Sequence, residues 1–290
     1  MRTAAFIAAL AVVVPTTHAM QRARFLMGTV CEVAVTGEQA EAQTEAAFAE
    51  AKRVELMLST WIADSELSRV NRGAAPGEEL RALLDVTAAW TRKTNGAFDP
   101  RYRRALNGRQ SAVGSRQELG GVPADCRLPA ADCLDSGAFG KGYALDRMLA
   151  LTTGDAVIDF GGQLIVRGER EVAIADPEHR DRPVLALTIA NASLSTSSTS
   201  EQPGHIVDPR TGEALPARGS VSVIADDALT ADILSTALYV MGEDDGLRWA
   251  DANGVAAIFV NPSHHVRLSA KARERARAPT LLDRNFRMKD

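Results

Sequence analysis

Five short stretches of this sequence combine glycines, hydroxyls, acids and one lysine in ways that packing does not require. In the first, Asp135 through Asp146, Gly140 and Gly142 flank Lys141 just before an apolar-periodic run. Backbone at such a place approaches an anion closely, the start of a helix offers unpaired N–H groups, and Lys141 adds a point charge for phosphate. The spacing is not that of a P-loop. A Gly-rich helix start with a solvated lysine fits the same residues. In the second, Ile158 through Gln163, a strand runs into the pair Gly161-Gly162, a pattern of either close ligand approach or a tight turn. The third, Ser193 through Ser200, has the composition of a flexible linker, and its hydroxyls and amides are also phosphate donors. In the fourth, His205 through Gly212, Asp208-Pro209 and Thr211-Gly212 are turn chemistry. His205 and Asp208 are close enough to work as base and orienter, although a lone histidine is more often structural. In the fifth, Asp232 and Thr236 share one helix face beside Ser235. These are oxygen donors for a hard cation such as Mg2+, and an early-helix Asp232 also suits the helix dipole.

These residues need a scaffold, and the hydrophobic pattern supplies its elements. Val30–Val35 alternates as a strand. Helical spacing of apolar residues predicts helices over 38–58, 78–94, 140–151 and 230–241, with Gly242 closing the last and a short helix over 244–253. Ala156–Val166, Val172–Ala175, Val184–Ile189, Val221–Ala225 and Val255–Val260 read as strands. Residues 99–135 show no clean period and read as long loops. Strands and helices mix without regular alternation, which predicts an α+β fold.

The remaining bounds come from composition. A chain of 290 residues with net charge −4 is large enough for a full core and lacks the basic excess of a nucleic-acid binder. Residues 1–19 read as a signal peptide: Arg2 precedes the apolar run Ala4–Val14, and Thr17-His18-Ala19 suits cleavage after Ala19. That run is shorter than the roughly 20 residues of a membrane span. The expectation is an exported protein, periplasmic in a bacterium, that does not itself span the membrane. Among three cysteines, Cys126 and Cys133 are candidates for a disulfide in an oxidising compartment, and Cys31 would be a lone buried thiol. Residues 271–290 carry seven basic side chains against three acidic ones. This tail reads as a solvated, partly frayed helical end, or as a contact for anionic headgroups or an acidic partner.

In this order the motifs are similar to those of the FAD:protein FMN transferases, the ApbE-like flavin transferases. The resemblance runs from Met27-Gly28-Thr29 to Met241-Gly242. It takes in Ser59-Thr60-Trp61, Asp64 through Ser68, Asn71, Gly96 through Pro100, the Gly140-Lys141-Gly142-Tyr143 helix start, Asp159 through Gly162, His205 through Gly212, and Asp232 with Ser235 and Thr236. The resemblance implies two closely packed α/β subdomains within residues 20–270 and a ligand cleft between them. It implies FAD as substrate, contacted by Met27, Trp61, Ala97, Phe98, Asp99, Asp135, Lys141 and Ile206. It implies Mg2+, with Mn2+ as the alternative, held by the Ala138 carbonyl, Asp232, Ser235 and Thr236. His205 stands where the family has a candidate catalytic histidine, and His205 or Asp208 would take the proton of the attacking hydroxyl. The implied reaction moves FMN onto a Thr or Ser of an acceptor protein, typically a subunit of a membrane redox complex, and releases AMP. Water as acceptor would make the chain an FAD pyrophosphatase, and a chain without turnover would be an FAD-binding protein. Departures from the pattern are Trp61 for Tyr, Arg101 for Thr, a shortened segment at 101–118, Ser198 for Gly, and Gln163 where Asp or Asn is common.

Overall fold

The computed structural model describes residues 19–101, 133–199 and 204–289. The chain opens with an antiparallel hairpin, β1 (Ala19–Leu26) and β2 (Thr29–Thr36), turned at Met27 and Gly28, which both have positive φ. Three helices follow: α1 (Ala40–Leu58), α2 (Glu66–Asn71) and α3 (Glu78–Lys93). Then come α4 (Gly140–Leu149), β3 (Ala156–Asp159), β4 (Gln163–Ala175) and β5 (Pro183–Ser198). A small hairpin, β6 (Val207–Asp208) with β7 (Glu213–Ala214), precedes β8 (Ser220–Ala225), α5 (Ala228–Met241) and α6 (Glu243–Ala252). The chain ends with β9 (Ala256–Val260), β10 (His265–Leu268), α7 (Ala270–Arg275), β11 (Arg277–Leu281) and β12 (Arg287–Lys289).

Ten strands make one sheet in the order β1-β2-β3-β4-β5-β8-β9-β10-β12, with β11 on β5. Among the described residues, only the β10–β12 pair is parallel. The α+β expectation holds. The central strands β8 and β9 are buried throughout, so both of their faces are covered, although Ser220 and Ser222 put hydroxyls on one face of β8. Alternation sends Val221, Val223, Ala257 and Phe259 to a core shared with α1, α4 and α5, and Ile224, Ile258 and Val260 to a second core shared with Ala272 of α7 and with Phe286. Two hydrophobic cores therefore lie on opposite faces of one continuous sheet.

Two expectations are corrected. The Ser/Thr run is not a linker: residues 193–198 form the C-terminal part of β5, pairing with β4 on one side and β8 on the other. The basic tail is not a frayed helix. After the short α7 it returns to the sheet, β11 against β5 and β12 against β10. Cys133 is disulfide-bonded and Cys31 is a free buried thiol, while Cys126, residues 1–18 and most of the shortened segment lie outside the described residues.

Candidate functional site

The starts of α4 and α5 are joined in both directions. The backbone N–H of Gly142 donates to Asp232 Oδ2 at 3.0 Å. In return, the Asp146 carboxylate accepts from the amides of Ala228 (2.7 Å) and Leu229 (2.9 Å), while Asp227 caps the same helix by accepting from Thr230. Gly142 makes this approach possible, because a Cβ there would lie 2.4 Å from the Ala228 carbonyl oxygen. Asp232 is buried, and burial raises its pKa against the opposing pull of Lys141. Burial likewise pushes Asp146 up to about 6, with its two amide donors acting the other way.

Hydroxyls extend this site along α5. Ser235 Oγ lies 3.1 Å from Ser195 Oγ and 2.9 Å from Ser197 Oγ, and Thr236 Oγ1 is 3.3 Å from Ser197 Oγ. Further along, Thr199 Oγ1 meets Tyr239 Oη at 2.9 Å. The odd-numbered residues of the Ser/Thr run thus face α5, a pattern set by strand alternation. The glycine pair borders the same region. Asp159 accepts from Gly161 N at 2.6 Å, and Arg180 from the β4–β5 connection reaches within 3.3 Å of where a Gly162 Cβ would stand.

The other motifs are braced to this centre by backbone contacts. Met27 N donates to Glu55 of α1. Ser136 Oγ donates to the Leu58 carbonyl, next to Ser59-Thr60-Trp61. Ser68 Oγ donates to the Ser59 carbonyl, Ser65 caps α2, and Ser59 Oγ accepts from the amides of Trp61 and Ile62. The Asn71 amide brackets Leu134 in both directions, and Asp135 N donates to the Pro100 carbonyl. The Ser59–Asn71 motif is thus largely a brace that carries Trp61, whose ring is 64% exposed and open to stacking. Ala97 and Phe98 are fully buried beneath Asp99, and Ile206 is buried beside the exposed His205. The turn at Gly96 lies against the side chain of Arg210. These bonds tie the segments of Trp61, Asp99 and Asp135 to one another and to the segment that leads into α4.

Asp208 differs from the expectation of a base. Its carboxylate is held bidentately by Arg210, with Nε at 2.9 Å and Nη2 at 2.8 Å, and it also accepts the Arg210 amide. The guanidinium holds this carboxyl below the usual carboxylate range, which makes it a weak proton acceptor. Sequence reasoning passed over Arg180 and Asp146. Arg180 sits in an ordinary hairpin connection with no local signal, and the capping role of Asp146 depends on a helix 82 residues away. A cavity of about 190 Å³ lined by Ile189, Ile224, Arg275 and Arg277 belongs to the second core and carries none of these groups.

Fold and site define an α+β protein in which two helix starts, a lysine and a row of oxygen donors meet at one buried carboxylate. The ApbE family profile matches residues 27–259, and the chain belongs to that family. It is 30% identical to the FAD:protein FMN transferase of Treponema pallidum (strain Nichols), over 91% of this chain and 90% of that one. It is 31% identical to the protein of the same name from Rhodobacter capsulatus, over 85% of this chain and 58% of that one. In fold it is similar to the apo form of Pseudomonas stutzeri flavinyl transferase ApbE, with a TM-score of 0.72, 24% identity, and 90% and 97% of the two chains covered. It is also similar to the ApbE protein of Thermotoga maritima, with a TM-score of 0.78, 22% identity, and coverage of 90% and 100%.

Proposed function

We infer that this chain is an FAD:protein FMN transferase. It takes FAD as substrate, moves the FMN half onto a Ser or Thr hydroxyl of an acceptor protein, and releases AMP. The observation that carries this reading, beside family membership, is the junction of Lys141 and the α4 start with the buried Asp232. A diphosphate is the ligand that such a pairing of anion donors and oxygen ligands suits. Met27, Trp61, Ala97, Phe98, Asp99, Asp135, Lys141 and Ile206 would contact FAD, with the Trp61 face stacking on a flat ring.

The donor set fits a divalent cation. Asp232, Ser235, Thr236 and the Ala138 carbonyl are all hard oxygen ligands, and a carboxylate whose charge is disfavoured by burial gains from a cation beside it. These residues would hold Mg2+, with Mn2+ as a substitute. When bound, the cation neutralises pyrophosphate charge and makes AMP a better leaving group. The rest falls to the chain's own side chains. The acceptor oxygen attacks the FMN-side phosphorus, the bond from that phosphorus to the bridging oxygen breaks, and AMP leaves with that oxygen. Lys141 and the amides at the start of α4 stabilise charge on the transferred phosphoryl oxygens. The hydroxyl proton passes to His205, while Asp208 positions Arg210 instead of acting as base.

Export to the periplasm accords with the leader-like residues 1–19 and with a disulfide at Cys133. An acceptor in a membrane redox complex fits that location. Among the described residues no helix is long and apolar enough to cross a membrane. The test is incubation with FAD, Mg2+ and the isolated periplasmic and membrane fractions of the source cell. AMP release matched by protein-bound flavin fluorescence supports the reading. Equal AMP and free FMN would make the chain a pyrophosphatase, and intact FAD would make it a binding protein.

A further inference from the structure

Gln163 opens β4 directly after the glycine pair and is buried. Its Nε2 donates to the Ala228 carbonyl at 3.2 Å, and the Asp232 carboxylate lies close enough to the same amide for the amide to favour its charged form. Both partners are acceptors, so both are served by the NH2 group, and the orientation of the amide is fixed. Its oxygen, Oε1, is then left buried with no partner in the protein. Four other buried side-chain atoms among the described residues share that state, on Thr44, Arg170, Ser220 and Arg267, and none of these residues bonds Asp232. Gln163 also stands opposite Ser195 in the antiparallel register, so the two side chains lie on the same face of the sheet. Ser195 in turn meets Ser235. The orphaned oxygen therefore belongs to the same group of side chains as Asp232 and the hydroxyl row. An unpaired buried amide oxygen destabilises the fold, a cost removed by any cation or donor that meets it.

We propose that Gln163 is a further oxygen ligand of the divalent-cation site, its Oε1 joining Asp232 on the cation while its NH2 holds the Asp232 carboxylate in place. The proposal rests on the cation reading given above. It assigns Gln163 two jobs through two different atoms, and substitutions separate them. Gln163→Leu removes both. Gln163→Glu keeps the shape and an oxygen donor but removes the NH2, so a residue that served only as a structural donor would suffer equally from both changes.

The test is binding of Mn2+ alone, read from the EPR signal of the free ion, on wild type, Asp232→Ala, Gln163→Leu and Gln163→Glu, each shown to be folded by its thermal melt. The expected result is binding by wild type, its loss in Asp232→Ala, at least tenfold weaker binding in Gln163→Leu, and recovery to within threefold of wild type in Gln163→Glu. If Gln163→Leu does not fold, Gln163→Glu decides alone: affinity near wild type supports the ligand role, and a tenfold loss overturns it. Wild-type affinity in Gln163→Leu overturns the role of Gln163 and leaves the cation reading standing, with Oε1 then served by water. If wild type leaves Mn2+ free, the cation reading itself falls, and this inference falls with it.

Discussion

Replacing Gly142 with alanine tests the junction of α4 and α5 most directly. In an unobstructed helix, Gly→Ala stabilises by about 1 kcal/mol. Here the new Cβ would lie 2.4 Å from the Ala228 carbonyl oxygen and 2.8 Å from Asp232 Cβ. The nearest obstacle is backbone, which cannot swing aside, so the helices must part by about 1 Å to restore ordinary contact. That movement takes the 3.0 Å bond from Gly142 N to Asp232 out of hydrogen-bond range. Overpacking costs about 1–3 kcal/mol, and a bond to a charged group is worth about 1.5–3 kcal/mol. Against the propensity gain, the net destabilisation is about 1.5–5 kcal/mol, which at about 2 °C per kcal/mol lowers Tm by about 3–10 °C in a chain of this size. FMN transfer should fall with it, even at temperatures where the variant is folded. Gly246→Ala is the matched comparison, because its Cβ would meet the tip of the Phe259 ring at 2.8 Å, away from Asp232. It should lose stability and keep its turnover. Thermal melts and AMP release on both variants decide the matter. A Gly142→Ala protein with unchanged Tm and full transfer would refute the close approach and the site built on it.

Three further predictions follow from the same geometry. His205→Ala should lower kcat about 10²–10⁴-fold with Tm unchanged, whereas Asp208→Asn should chiefly reduce stability; single-turnover transfer and thermal melts on both variants separate the two. Trp61→Ala should raise the KM for FAD by up to about tenfold with Tm unchanged, because the ring is largely exposed and stacking is worth about 0.5–1.5 kcal/mol. Glu50 of α1 is held at about 2 by Arg53, with Arg147 of α4 assisting. Its folded pKa is depressed, so its contribution is present above about 4.5 and is lost as pH falls toward 2. Glu50→Gln should therefore flatten that part of the acid-stability curve in equilibrium denaturation.

Much of the fold was legible because its helices are amphipathic. The apolar spacing in 38–58 and 78–94 matches the buried faces of α1 and α3 to within two residues at each end. What was missed is stabilised from far away. The strand β1 is largely exposed and charged, and it exists because β2 pairs with it along its whole length. β11 lies on β5, about 90 residues earlier in the chain, and local propensity carries no trace of that pairing. The serine run has poor strand composition, yet its alternate hydroxyls bond α5, which converts a linker-like segment into a central strand. At the site, residue types pointed to Asp232, Lys141 and the glycines. The occupation of Asp208 by Arg210 and the stranded oxygen of Gln163 depend on side-chain directions that no spacing encodes.

The mutual clasp of α4 and α5 has a bearing on how such a protein can diverge. Its bonds run from carboxylates to main-chain amides, and amides do not mutate. Substitutions on the outward faces of the two helices leave the Lys141-to-Asp232 spacing untouched so long as two acids and one glycine persist. The clasp needs only those three side-chain identities, in a chain that is 30% identical to one of its relatives.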